Sequence, residues 1–217
     1  MRPRSEPGFP AGASRSWTLA RHPARWLFRA WFPLTLEGTE RTPSGPVVVA
    51  ANHFSHLDPV IIGIAIDRPI RYLAVDELYG NSQFFDGLTL WLGAIPMSRT
   101  RAPLGALRLA LAELAEGGTV GLFPEGVRVW RWGEIAPRRG AAWLAARAGV
   151  PLLPVAITGS DEAMGRGTRR ISRRPMHAAV LDPILPDDFP PGRERPGSMT
   201  EEWARRIDGA IRARYEA

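Results

Sequence analysis

The run NHFSHLD, residues 52–58, sets two histidines and an aspartate between two apolar stretches, VVVAA before it and PVIIGIAI after it. Titratable groups placed there have three physical uses. A turn after a strand can fold Asp58 back onto His53, and such a pair fixes one imidazole tautomer and stabilises the imidazolium. That arrangement makes a general base near neutral pH. Alternatively, Asp58 before Pro59 caps a helix and His53 only fills a turn. A third use has His53, His56 and Asp58 ligating a metal ion, with only His22 and His177 as further histidines.

Three more runs carry candidate binding groups. GAIPMSR, residues 93–99, puts Arg99 just past an apolar stretch, and FPEGVR, residues 123–128, brings Glu125, Gly126 and Arg128 together. The guanidinium forks of Arg99 and Arg128 suit a phosphate. Glu125 can accept a hydrogen bond from a hydroxyl, and Gly126 permits a tight turn or a close ligand approach. VPLLPV, residues 150–155, is mostly apolar.

Positioning these groups requires a scaffold, and the hydrophobic pattern supplies one. PVVVAA, IRYLAV, AIPMS, TVGLF, PLLPVAIT and MHAAVLD read as strands. Between them, DPVIIGIAI, SQFFDGLTLWLG, PLGALRLALAELAEGG and RRGAAWLAARAGV read as helices, and MTEEWARRIDGAIRARY closes the chain as another. In the third of these helices Leu104, Leu107, Leu111 and Leu114 share one face, and Gly117 and Gly118 end it. The alternation predicts a single α/β domain with a largely parallel central sheet flanked by helices. Ligands in such domains gather outside the carboxyl ends of the strands, where loops open at Asn52, Arg99, Pro124 and Thr158.

The bulk numbers fit one such domain. The chain has 217 residues, 45% hydrophobic and 23% charged, with a net charge of +6. All 28 basic residues are arginine, a bias that together with abundant Ala, Gly and Pro points to a GC-rich genome. The positive balance favours anionic partners. There is no cysteine, which excludes disulfides, thiolate metal sites and a cysteine nucleophile. No G-x-S-x-G elbow occurs either, so a double-displacement route lacks an obvious nucleophile.

Residues 1–15 read as a disordered tail, residues 16–36 as an amphipathic helix and residues 37–217 as the folded domain. In the helix, Trp17, Trp26, Leu27, Phe28, Trp31 and Phe32 are interleaved with Arg21, Arg25 and Arg29. Arginines spaced by four share a stripe, and the basic and aromatic mixture suits a helix lying in a lipid interface. Packing of the same aromatics on the domain is the alternative. Nothing reads as a secretory signal or a spanning helix, so the expectation is a protein in the cytosol or on a membrane surface. The arginine-dense stretch GRGTRRISRRP, residues 165–175, is either a solvated loop or a contact for anionic lipid head groups or an acidic acyl carrier. No nucleic-acid-binding module accompanies the charge, so nucleic acid is not expected as a partner.

In order and spacing, NHFSHLD, GAIPMSR, FPEGVR and VPLLPV together resemble the four blocks of the glycerolipid acyltransferases, over residues 37–185. The resemblance implies acyl transfer from a coenzyme A or acyl-carrier-protein thioester to the free hydroxyl of a lysophospholipid, foremost 1-acylglycerol 3-phosphate, in phospholipid biosynthesis. It implies His53 as general base and Asp58 as its orienter. Arg99, Glu125, Gly126 and Arg128 would bind the acceptor, and Pro151 and Pro154 would shape the donor region. It implies no metal and no bound cofactor, and a peripheral enzyme on the cytoplasmic face of an anionic membrane. Val127 and Val129 depart from the family, which has Thr at the first position and often Ser at the second. The rival readings are the same chemistry on a lyso-aminolipid or glycolipid, a lipid ester hydrolase, or a non-catalytic lipid-binding protein.

Overall fold

The computed structural model describes residues 22–23, 25–75, 95–97, 104–168 and 170–216. Seven strands form one sheet: β1 (Leu34–Glu37), β2 (Val47–Ala51), β3 (Arg71–Val75), β4 (Ile95–Met97), β5 (Thr119–Leu122), β6 (Leu152–Thr158) and β7 (Met176–Val180). Their order across the sheet is β1-β7-β6-β2-β5-β3-β4. Every neighbouring pair is parallel except β6 and β7. A parallel strand covered on both faces must be apolar throughout, and every residue of β2, β6 and β7 is buried.

Six helices accompany the sheet among the described residues: α1 (residues 25–31), α2 (Asp58–Ile66), α3 (Leu104–Ala115), α4 (Gly140–Ala148), α5 (Ser160–Met164) and α6 (Arg195–Glu216). Two apolar layers result. One holds Val48, Ala50, Leu114, Leu144, Met199, Trp203 and Ile207, between the sheet and α3, α4 and α6. The other holds Phe32, Val49, Ile61, Ile62, Leu153 and Ile157, around α2. Trp203 is almost fully enclosed, and its indole N–H donates to the Ala50 carbonyl at 3.0 Å, so its one polar atom is satisfied.

Several details differ from the sequence expectation. The segment assigned to one interfacial helix turns into β1 after Phe32, because Leu34 is drawn into the core and the strand pairs in parallel with β7. The buried stripe of α3 is Ala106, Ala110 and Leu114, whereas Leu104 is exposed. Small side chains let that helix approach the sheet closely, which an argument from leucine spacing overlooks. The short helix α5 stands inside what reads as a loop, and α6 begins at Arg195, with Pro196 in its first turn. The expected helix over SQFFDGLTLWLG, the tail of residues 1–15 and Arg99 lie outside the described residues.

Candidate active site

At the carboxyl end of β2 the chain has to leave the sheet, and Asn52 manages the exit. Its side chain donates to the Ile157 carbonyl and accepts from the Ile157 N–H, both at 2.8 Å. The amide thus prolongs the β2–β6 pairing with side-chain atoms, and the backbone is free to turn.

The turn closes on Asp58. Its Oδ2 accepts hydrogen bonds from the N–H groups of Phe54 and Ser55, both at 2.7 Å, and lies 2.8 Å from His53 Nδ1. Asp58 is fully buried. The expected helix cap is therefore replaced by something else: Leu57 occupies the N-cap position, and the carboxylate points back into the turn, making no cap bond. Standing in the first turn of α2, the charge also gains from the helix dipole. Donation to a carboxylate requires the proton on Nδ1, which leaves Nε2 as the nitrogen able to take one.

Other elements hold the ring and the turn. His53 stacks on Phe123 with centroids 3.9 Å apart, and Phe123 stacks in turn on Tyr72. The Tyr72 hydroxyl donates to the Pro59 carbonyl at 2.9 Å. The His53 carbonyl accepts from the Val129 N–H at 2.8 Å, and its N–H donates to Glu125 Oε1 at 3.3 Å. Ser55 ties the far side, its hydroxyl donating to the Met164 carbonyl at 2.7 Å beside a bridge between Ser55 and Gly165. Phe123, Ser55 and the Val129 amide are site components that sequence reasoning missed. Ser55 and Phe123 lie inside the recognised runs, but stacking and a backbone contact leave no mark on spacing.

Glu125 is only 2% exposed. Loss of hydration raises its pKa to about 7, opposed by backbone hydrogen bonds including that of His53, and the charge of Asp58 pushes in the same direction as burial. One oxygen supports the His53 turn and the other, Oε2, is buried without a partner among the described residues. Gly126 turns the chain with φ of 74°, a left-handed conformation that suits glycine, and the Arg138 guanidinium lies beside it.

Arg128 is partly buried and, among the described residues, has no carboxylate partner. Burial lowers its pKa, and Arg166 adds to the lowering. His56 is lowered by burial first and then by Arg128 and His53. Arg128 thus lies within electrostatic reach of both Arg166 and His56. Of the two departures in the third run, Val129 is buried in the core and Val127 packs against the same apolar layer. Pro151 and Pro154 have backbone roles, their carbonyls accepting from Val48 and Leu181 at 3.0 Å in each case.

The structure thus joins His53 to both Asp58 and Glu125, and Gly126 turns the chain between Glu125 and Arg128. Among the described residues no helix is long and apolar enough to cross a membrane.

Comparison with known proteins identifies the family. A family model described as Acyltransferase matches residues 33–158, more than half of the chain. The chain is similar to the 1-acyl-sn-glycerol-3-phosphate acyltransferase of Bacillus subtilis, 28% identical over 163 residues, covering 74% of this chain and 78% of that one. It is 30% identical over 160 residues to the alpha form from Homo sapiens, covering 68% of this chain and 55% of that one. The chain spans about half the length of the human relative and less of those from Brassica napus and Arabidopsis thaliana. In fold it is similar to the 1-acyl-sn-glycerophosphate acyltransferase of Thermotoga maritima, with a TM-score of 0.70 at 23% identity over 92% of this chain and 79% of that one. With the family model spanning both the His53 turn and the Glu125 loop, the chain belongs to the glycerolipid acyltransferase family.

Proposed function

We propose that this enzyme transfers a fatty acyl group from a coenzyme A or acyl-carrier-protein thioester to the free hydroxyl of 1-acylglycerol 3-phosphate, at the cytoplasmic face of a membrane. The carrying observation is the His53–Asp58 pair, 2.8 Å apart at the carboxyl end of β2 with the carboxylate fully buried. Nε2 of His53 removes the acceptor's hydroxyl proton as the oxygen attacks the thioester carbonyl. Asp58 holds the imidazolium so formed. The tetrahedral intermediate then collapses, the carbon–sulfur bond breaks, and the leaving thiolate takes the proton from Nε2. An ester and a free thiol result, with no covalent enzyme intermediate. The relatives' names support the phosphorylated acceptor, as does Arg128, which forms no ion pair with a carboxylate among the described residues.

Attachment to the membrane is the role assigned to α1. Trp26, Leu27 and Trp31 are exposed by 58–69%, while Phe28 and Phe32 pack inward. The aromatics divide between the two expected uses, with the outward set available to lipid.

The test offers the purified protein several lysolipids with an acyl thioester and identifies the products by mass spectrometry. Diacylglycerol 3-phosphate should dominate. Products confined to a neutral or amine-bearing lysolipid would overturn the acceptor assignment, and free fatty acid formed without any acceptor would favour the hydrolase.

A further inference from the structure

We propose that Arg166 is a second fork for the acceptor's phosphate, standing beside Arg128, and that Trp130 is its positioning residue. The inference rests on the acyl-transfer reading above and assigns a specificity role to a residue outside the four recognised runs.

Arg166 is anchored to the catalytic turn from two directions. Gly165, immediately before it, bridges to Ser55 in the turn, and Met164 accepts the Ser55 hydroxyl. From the other side comes Trp130, which directly follows Val129, whose N–H holds the His53 carbonyl. The Arg166 guanidinium carbon lies 5.7 Å from the Trp130 ring centroid, a cation–π contact. The next residue, Gly167, has φ of 81°, and a Cβ there would stand 3.1 Å from the indole. The indole therefore lies against the turn that presents Arg166. Glu134 completes the support: its Oε2 accepts the Trp130 N–H at 2.7 Å and its Oε1 lies 3.5 Å from Arg166 Nη1.

Trp130 is 61% exposed, an unusual place for a large indole unless its face has work to do. The cation–π contact uses a face of the guanidinium, so its edge N–H groups other than the one facing Glu134 can meet an oxyanion. The ion pair with Glu134 is long and half-exposed, so it orients Arg166 without consuming its charge. Arg128 and Arg166 lie within electrostatic reach of each other, and His56 within reach of Arg128. Like charges gathered beside one catalytic histidine repel, and a dianionic phosphate between them converts the repulsion into attraction.

The experiment uses the full chain and a water-soluble short-chain 1-acylglycerol 3-phosphate, with the matching monoacylglycerol as a neutral control. Arg166→Ala should raise KM for the phosphorylated acceptor about tenfold while kcat changes less than about twofold. KM for the monoacylglycerol and for the thioester donor should hold. Trp130→Ala should raise the same KM, and Trp130→Phe, which keeps a ring face, should restore most of it. An unchanged acceptor KM in Arg166→Ala overturns the proposal. So does a rise in the donor KM alone, which would place the arginine on the phosphates of the donor, or an equal rise for both acceptors. Calorimetric binding of the phosphorylated acceptor without donor separates this from the reaction itself. Binding weakened by Arg166→Ala in a protein that transfers nothing would keep the fork and sink the acyl-transfer reading. Transfer and binding both indifferent to Arg166→Ala would do the reverse.

Discussion

Around Asp58 three donors converge on one oxygen of a fully buried carboxylate, whereas Arg166, across the same turn, rests on an indole face and a 3.5 Å ion pair in half-exposed surroundings. The two regions share the Ser55–Gly165 bridge yet are held by opposite kinds of contact. Buried, charge-assisted hydrogen bonds are directional and intolerant of displacement. Stacking and screened ion pairs allow a side chain to shift by an ångström at little cost. Proton transfer needs the first kind of support, since base and hydroxyl must meet at hydrogen-bond distance. Holding a phosphate that arrives on a flexible lipid is compatible with the second.

The sharpest way to break this contrast is at the rigid half. His53→Ala should reduce kcat by about a thousandfold or more, because general-base catalysis contributes roughly 10²–10⁴ and no other imidazole is paired with the Asp58 carboxylate. The melting temperature should fall by only a few degrees, since the change forfeits the stack on Phe123 and the hydrogen bond to Asp58 while the Phe54 and Ser55 amides still hold the carboxylate. Turnover near wild type would remove His53 as the base. Asp58→Asn should follow at on the order of a hundredfold in kcat, with the acceptor KM nearly unchanged. Asparagine can keep an acceptor facing the Phe54 and Ser55 amides but cannot stabilise an imidazolium by charge. It should also cost about 1–3 kcal/mol of stability in urea unfolding, the range for hydrogen bonds to a charged group. Full activity in Asp58→Asn would make the carboxylate a structural fastener. Against these losses in kcat, the arginine rim should answer in KM alone, and a variant of either half that moves the other's parameter would dissolve the distinction.

Sequence alone reaches the rigid half more readily than the adaptable one. His53 and Asp58 are five residues apart in one turn, and local spacing suffices to suggest that they meet. The buried strands are equally legible, because a parallel strand enclosed on both faces is apolar without interruption, as VVVAA is. The rim is assembled from residues 128–134 and 164–167, which only tertiary folding brings together. An arginine-dense loop carries no signal saying which of its guanidinium groups turns toward the site. β1 eluded the pattern for a related reason: four residues after an aromatic helix have too little length to establish a period of two. Asp58 as a helix cap and Asp58 as a partner of His53 look identical in sequence, since both put an aspartate before Pro59, and only the direction of the carboxylate separates them.

Glu125 sits on the border of the two halves, and its titration offers the smallest and most specific test. One oxygen braces the rigid turn through the His53 N–H, and the other is buried without a partner among the described residues, three positions before Arg128 in the chain. Burial raises its pKa from 4.5 to about 7, so the folded protein keeps this proton over a range in which the unfolded chain has released it. Where the folded state binds more protons, stability falls as pH rises. The contribution of Glu125 is therefore fully present below pH 4.5 and is lost as pH rises through about 7. The swing is on the order of 3 kcal/mol at most. Glu125→Gln keeps an oxygen for the His53 N–H and removes the titration. In urea unfolding the variant and the wild type should be close at low pH, and by pH 8 the variant should be the more stable by about 1–3 kcal/mol. The gap should open between pH 4.5 and about 7, the interval over which the folded and unfolded chains differ in proton uptake. A loss of stability in Glu125→Gln that is present above pH 4.5 and fades at lower pH would mean that the carboxylate is ionised in the folded protein and paired with a cation, which would move Glu125 from the His53 turn to the arginine rim.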